Sequence, residues 1–145
     1  MRSSVFIGFE AILVAYDGSP QSEHALQIAL SLAKTTASKV LVFSVVQVPK
    51  PAPRAELNAI LDEGRESYER SFAAIRHQAE ENAIELETEI AVGNPANQII
   101  HRAETFQASL IVMGRREKSA VHHWICGSSS ERVLRYVRCP VMLVR

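Results

Sequence analysis

Several features that would assign a class at once are scarce or missing in this sequence. There are two cysteines, Cys126 and Cys139, and their spacing forms no metal-ligand pattern, so we expect free thiols in a reducing cytoplasm. No apolar run approaches the roughly 20 residues of a membrane-spanning helix. Residues 1–10 lack the apolar region and the cleavage site of a signal peptide. We therefore expect a cytoplasmic protein without a membrane partner, in which residues 1–10 are a short N-terminal extension.

Net charge is also absent, because 16 Lys and Arg residues balance 16 Asp and Glu residues. A net charge of zero argues against a nucleic-acid binder that relies on bulk electrostatic attraction, and it favours self-association. The 145 residues, of which 47% are apolar and 22% are charged, fit one globular domain with a sizeable core. We place that domain at residues 11–145.

What the sequence does contain is a regular alternation of two kinds of segment. Short apolar runs closed by Gly, Pro, Asn or Asp are typical of buried strands, and the longer segments between them repeat apolar residues at helical spacing. We predict strands at 11–16, 40–46, 86–90, 109–113 and 140–144, and helices at 20–34, 55–83, 95–105 and 128–137. The segment 86–90 alternates apolar and polar residues, which indicates an edge strand. Strict alternation of strand and helix predicts an α/β domain with a doubly wound parallel sheet.

The ends of two predicted strands carry residues that suit a ligand. Ligands of doubly wound sheets bind beyond the carboxyl ends of the strands, where the strand order reverses. Asp17 follows the first predicted strand, and Met113 and Gly114 end the fourth. If these two strands are neighbours at the switch point, Asp17 is placed to accept hydrogen bonds from ribose hydroxyls. Gly114 would let a ligand approach the backbone closely.

A second group of residues fits the phosphates of a nucleotide. Gly127, Ser128 and Ser129 open a predicted helix, whose free N–H groups and dipole attract an anion. Arg115 and Arg116 are suited to pair with phosphate oxygens. Neither a Walker-type G-x-x-x-x-G-K-[ST] loop nor a G-x-G-x-x-G loop is present, so these two phosphate loops are excluded.

The same residues also have a purely structural interpretation. Asp17 stands in an Asp-Gly-Ser turn, where Asp commonly closes the turn on its own backbone. Ser128 and Ser129 are ordinary helix-capping residues, and Arg115 belongs to a basic loop that water would solvate. Only the joint placement of these residues at matching strand ends favours the nucleotide site.

Taken together, these residues resemble the universal stress protein family from about Ala11 to Arg145. The resemblance rests on the AYDGS turn at 15–19 and on SSSERVLRYVRCPVMLV at 128–144. It implies an adenine nucleotide alpha hydrolase-like fold, with five parallel strands in the order 3-2-1-4-5, helices on both faces and a switch point between strands 1 and 4. The last predicted strand, 140–144, is an exposed apolar edge that invites pairing. The resemblance supports a homodimer formed through that strand.

ATP-binding members of this family carry a loop of the form G-x-x-G-x9-G-[ST]. Gly114 matches the first glycine, and Gly127 with Ser128 matches the last pair at the same spacing. The middle glycine is replaced by Glu117. A carboxylate about 4 Å from a phosphate charge costs about 4 kcal/mol at an effective dielectric near 20 and about 1 kcal/mol in water. Because this lowers affinity roughly ten-fold to a thousand-fold, we expect Glu117 to decide whether a nucleotide binds.

The resemblance further assigns a part of the ligand to each site residue. It implies a ribose contact at Asp17, adenine near Val46 and Met113, and phosphate contacts at Ser129. The implied function is a stress-response sensor or regulator that binds ATP or another adenine nucleotide, with Mg²⁺ on the phosphates. We expect no enzyme, because no residue stands out as a general base for hydrolysis. The alternative is a nucleotide-free universal stress protein that acts as a dimeric interaction module, which Glu117 and the bulky residues 122–124 favour.

Overall fold

The computed structural model describes residues 8–51, 54–115 and 127–145, which form alternating strands and helices. In chain order the elements are β1 (Ala11–Ala15), α1 (Pro20–Thr36), β2 (Lys39–Val46), α2 (Arg54–Glu81), β3 (Leu86–Val92), α3 (Pro95–Phe106), β4 (Leu110–Gly114), α4 (Gly127–Tyr136) and β5 (Val141–Val144). Every predicted strand and helix is present, and no end differs from its predicted position by more than two residues.

The five strands form one sheet in the order β3-β2-β1-β4-β5, and all four pairings are parallel. The predicted doubly wound sheet and its strand order are therefore confirmed. β3 lies at one edge, as its alternating sequence indicated, and β5 lies at the other. Since β1 lies between β2 and β4, the strand order reverses between β1 and β4.

Two helices cover each face of the sheet. Successive side chains of β1 point to opposite faces, so Ile12 and Val14 join the core under α1 and α2, while Leu13 and Ala15 join the core under α3 and α4. All five residues of β1 are buried, because helices exclude water from both sides of the strand. Phe9, which precedes the predicted domain, also packs against the core under α1 and α2.

The helices α1 and α3 begin at the carboxyl edge of the sheet with the same capping arrangement. The Ser19 Oγ accepts a hydrogen bond of 3.1 Å from the Ser22 N–H. The Asn94 Oδ1 accepts one of 3.0 Å from the Asn97 N–H. Each cap is followed by a proline at the first helical position, where its missing N–H costs no hydrogen bond. The chain therefore turns sharply after β1 and β3, and its turn residues collect at one edge.

The longest helix, α2, has 28 residues but buries only Phe72, Ile75 and Ala79, which lie in its second half. Its first half extends along the carboxyl edge of the sheet, beside the end of β2. Within residues 8–51, 54–115 and 127–145, neither α2 nor any other helix is long and apolar enough to cross a membrane.

Candidate functional site

A cleft of about 960 Å³ opens at the carboxyl edge of the sheet, where β1, β2 and β3 end. One wall consists of the last residues of β2 and the residues that follow the three strands, and the other wall is one face of α2. The described lining consists of Asp17, Gly18, residues 45–50, Gly64, Ser67, Tyr68, Ser71, Gly93 and Asn94. The cleft borders the point at which the strand order reverses, which is where doubly wound sheets bind their ligands.

Asp17 lies at the end of β1 and contributes to this lining, although only 7% of its surface is exposed. Its Oδ1 accepts a hydrogen bond of 2.9 Å from the Ser19 N–H. Gly18 between them has a φ of 80°, which glycine adopts without strain. Asp17 thus fulfils the turn-forming role and is also one of the residues that line the cleft. The structural and the ligand-binding interpretations are compatible.

Buried hydroxyl groups fix the turn that carries Asp17. The Ser22 Oγ donates to the Ser19 carbonyl oxygen at 3.0 Å and accepts from the Asp17 N–H at 3.3 Å. The Ser44 Oγ donates to the Tyr16 carbonyl oxygen at 2.7 Å, which ties the end of β1 to β2. Since Ser19, Ser22 and Ser44 are fully buried, these bonds are shielded from competing water. The backbone at the site is therefore well ordered before any ligand binds.

An aromatic cluster lies behind the cleft between α2 and the end of β1. The Tyr16 ring packs edge-on to Tyr68, with 6.5 Å between centroids, and Phe72 stacks on Tyr68 at 6.2 Å. The Tyr16 hydroxyl donates a hydrogen bond to the Glu23 carboxylate on α1. Burial, followed by that carboxylate, raises the pKa of Tyr16 well above its usual range. The phenol is therefore neutral at physiological pH, and it joins α1 to the wall formed by α2.

A glycine inside α2 allows this helix to approach the end of β2. A Cβ atom on Gly64 would lie 2.9 Å from the Val46 Cγ1 and 3.1 Å from its Cγ2. Both residues line the cleft. Glycine costs about 1 kcal/mol relative to alanine inside a helix, and here its close packing against Val46 explains its presence.

Met113 and Gly114 lie at the end of β4 but are not among the lining residues of the cleft. Met113 is fully buried in the core under α3 and α4. A Cβ atom on Gly114 would lie 2.6 Å from the Gln21 carbonyl carbon and 2.7 Å from the Ser22 nitrogen, in the first turn of α1. The structure therefore gives Gly114 a packing role against α1, beside the ligand role suggested by its sequence position.

The remaining sequence-predicted residues lie where β4 ends and α4 begins. Arg115 is exposed, and its N–H donates to the Val144 carbonyl oxygen at 2.7 Å. Gly127 is the first residue of α4, followed by Ser128 and then by Ser129, which is partly exposed. Residues 116–126, including the Glu117 position, lie outside the described residues. The structure thus places Asp17 and Val46 on one cleft. The phosphate contacts of Arg115 and of residues 127–129 stay predictions.

The wall formed by α2 was not recognised from the sequence. The one signal of this wall in the sequence is Gly64, a glycine inside the predicted helix 55–83. The only charged residues in the described lining are Asp17 and Lys50. In the described part of the chain, no three His, Cys, Asp or Glu side chains are grouped to hold a metal ion. The described part of the cleft suits a largely neutral, polar ligand surface such as a nucleoside.

Fold and cleft together define a doubly wound α/β protein with a candidate ligand site beside its switch point. The model of the universal stress protein family matches residues 8–145, so the chain belongs to that family. The universal stress protein MJ0531 of Methanocaldococcus jannaschii is 32% identical over 144 residues, which cover 94% of this chain and 82% of that protein.

Two solved structures illustrate the likeness in fold. The universal stress protein UspA from Lactobacillus plantarum aligns with a TM-score of 0.79 at 23% identity, covering 97% of this chain and 100% of that one. A universal stress protein solved in complex with cAMP aligns with a TM-score of 0.63 at 25% identity, covering 96% and 98% of the two chains. The family resemblance inferred from the AYDGS turn and the C-terminal segment is therefore confirmed.

Proposed function

We propose that this universal stress protein binds an adenine nucleotide, with ATP as the first candidate, in the cleft at the carboxyl edge of β1 and β2. It acts there as a cytoplasmic sensor or regulator without efficient turnover of the nucleotide. The observation that carries the proposal is the placement of Asp17 and Val46 on one cleft beside the switch point. The related structure in complex with cAMP supports adenine nucleotides as the ligand class.

The ribose is assigned to Asp17. Its carboxylate is nearly buried and is oriented by the Ser19 N–H, so it needs little reorganisation to accept further hydrogen bonds. Bonds to a charged acceptor are shorter and stronger than bonds between neutral groups, and a low local dielectric strengthens them further. The adenine ring then lies near Val46, at the end of the neighbouring strand β2.

The phosphates are assigned to the region between the end of β4 and the start of α4. Arg115 is exposed there, and the N–H groups at the start of α4, from Gly127 to Ser129, favour an anion. Mg²⁺ bound to the phosphates would offset the charge of Glu117, as would an ion pair between Glu117 and a neighbouring arginine. We expect no efficient hydrolysis, because Asp17, the one carboxylate in the described lining, is committed to the ribose.

The same proposal includes a homodimer that pairs through residues 140–144. β5 lies at an edge of the sheet, and Met142 at its centre is 37% exposed. An exposed apolar edge strand is a template for pairing with another strand. Sedimentation at micromolar concentration should give a dimer, and Met142→Lys should shift it to a monomer. A monomeric wild-type protein would remove this part of the proposal.

The binding proposal is tested by titrating ATP with Mg²⁺ calorimetrically into the wild type and into Asp17→Asn. Asparagine can still accept the Ser19 N–H bond, so the substitution spares the turn and removes the charge offered to the ribose. We expect affinity to fall about ten-fold or more, because charge-assisted bonds are replaced by neutral ones. Glu80→Gln removes the same charge from an exposed position near the far end of α2 and should leave affinity unchanged.

Glu117→Gly separates the proposal from its alternative. If Glu117 only weakens a working site, the substitution raises ATP affinity between ten-fold and a thousand-fold, following the charge repulsion of about 1–4 kcal/mol. If neither the wild type nor Glu117→Gly releases heat or gains thermal stability at millimolar ATP, the protein belongs to the nucleotide-free, interaction-module class.

A further inference from the structure

The wall that α2 contributes to the cleft is one continuous face of the helix. Gly64, Ser67, Tyr68 and Ser71 all line the cleft, and their spacing of three and four residues places them on the same side of a helix. None of these side chains is charged. This wall therefore offers hydroxyl groups and one aromatic ring, but no positive charge to pair with a phosphate.

Tyr68 is the one aromatic residue in the described lining, and its neighbours hold the ring in place. Phe72 stacks on it at 6.2 Å with an interplanar angle of 21°, and Tyr16 meets it edge-on at 6.5 Å with an angle of 64°. Phe72 and Tyr16 are essentially inaccessible, at 0% and 1% exposure, while Tyr68 remains partly exposed at the cleft. A ring that is already packed on two neighbours loses little conformational freedom when a ligand stacks on it.

The close packing of α2 on β2 places this ring beside the predicted adenine position. Gly64 lies against Val46, since a Cβ atom at residue 64 would come within 2.9 Å of the Val46 side chain. Tyr68 is one helical turn, about 6 Å, farther along the same face. It contacts Tyr16, which directly precedes Asp17. The ring of Tyr68 thus belongs to the α2 wall of the cleft and lies beside the ends of β1 and β2.

We propose that Tyr68 is the base-stacking residue of this site and that it makes the site prefer purines to pyrimidines. This inference rests on the proposed nucleotide-binding function. Aromatic rings stack on the faces of nucleobases, and the larger ring system of a purine buries more apolar surface than a pyrimidine. The ribose and phosphates extend away from this wall, toward Asp17 and the start of α4.

The inference is tested by titrating AMP, CMP and ribose 5-phosphate into the wild type, Tyr68→Phe and Tyr68→Leu. Tyr68→Leu should bind AMP about ten-fold more weakly and lose much of the preference for AMP over CMP. Its affinity for ribose 5-phosphate, which has no base, should be unchanged. Tyr68→Phe keeps the ring and should bind AMP within about two-fold of the wild type. Tyr136→Leu, which changes an exposed tyrosine on α4, is the matched control.

Unchanged AMP affinity in Tyr68→Leu would overturn the stacking role while leaving the nucleotide-binding function intact. Equal losses for AMP and ribose 5-phosphate would overturn it as well, since they would show a general distortion of the cleft. If the wild type binds ribose 5-phosphate and AMP equally, or binds neither, the proposed binding of an adenine nucleotide is itself contradicted. The stacking role of Tyr68 is then refuted together with it. A second measurement needs no variant. Nuclear Overhauser contacts between the Tyr68 ring and the adenine protons are expected in the wild-type complex, and their absence would refute the inference.

Discussion

Replacing Gly114 by alanine distinguishes the packing role of this residue from its predicted role in ligand approach. The added Cβ would lie 2.6 Å from the Gln21 carbonyl carbon, 2.7 Å from the Gln21 Cβ and 2.7 Å from the Ser22 nitrogen. Carbon atoms in good contact are about 3.5–4.0 Å apart. Because two of the three neighbours are backbone atoms of α1, rotation of a side chain cannot relieve the overlap, and the first turn of α1 must move by about 1 Å.

The expected loss in free energy of unfolding depends on which atoms the added methyl group displaces. Overpacking in a well-packed region typically costs about 1–3 kcal/mol. A displaced Ser22 also strains its two hydrogen bonds to Ser19, of 3.1 Å and 3.0 Å, each of which contributes about 1 kcal/mol. We therefore expect Gly114→Ala to lower the free energy of unfolding by about 3–4 kcal/mol. For a domain of this size that lowers Tm by about 10 °C.

Urea unfolding followed by circular dichroism measures this change. Gly8→Ala is the control, because a Cβ at Gly8 meets no atom within 4 Å, and it should alter stability by less than about 0.5 kcal/mol. A loss below about 1 kcal/mol in Gly114→Ala would refute the packing role. If such a variant remained stable but bound ATP poorly, Gly114 would instead serve the approach of the ligand.

Three further predictions concern the elements that build the cleft. Tyr16→Phe removes the hydrogen bond to a carboxylate and should cost about 1.5–3 kcal/mol in urea unfolding at pH 7. Burial raises the pKa of Tyr16 above its unfolded value of 10.0, so the free energy of unfolding of the wild type should fall as pH rises beyond 10. The fall should be shallower in Tyr16→Phe. Equal slopes of unfolding free energy against pH in the two proteins would contradict this linkage. Gly64→Ala should destabilise the wild type, because the added Cβ overlaps the Val46 side chain. In a Val46→Ala background the overlap is absent, and Gly64→Ala should stabilise the protein by about 1 kcal/mol through helix propensity. Additive effects of the two substitutions in this double-mutant cycle would exclude the contact. Ser19→Ala should cost about 1 kcal/mol through loss of the α1 cap. Ser19→Thr keeps the capping hydroxyl and should cost less, and equal losses in the two variants would argue against capping.

The strands, the helices and their succession along the chain were predictable because local patterns encode them. Apolar runs closed by turn residues mark the strands, and their strict alternation with helices predicts a parallel sheet. The strand order 3-2-1-4-5 was instead implied by the family resemblance. The position of Asp17 at the carboxyl edge follows from the same patterns, since it is close behind the last residue of β1. Such features depend on a few neighbouring residues, and no long-range packing is required to find them.

Side-chain direction and helix placement were harder to predict, because they depend on tertiary packing. Met113 is the last residue but one of β4, beside the switch point, yet its side chain lies in the core under α3 and α4. One residue along a strand reverses the face that a side chain occupies. Tyr68 and Gly64 reach the cleft only because α2 packs against β2 with Gly64 directly beside Val46. No local pattern in the sequence specifies this position of the helix along the strand.

The central claim is that an adenine nucleotide binds in the cleft at the carboxyl ends of β1 and β2. The most direct measurement is a titration of ATP with Mg²⁺ followed by amide chemical shifts of the wild-type protein. The claim predicts saturable shifts at Gly18, Val46 and Gly93, which line the cleft, and none at Ser38, next to the amino end of β2. Unchanged spectra at millimolar ATP, or shifts confined to residues away from the cleft, would contradict it.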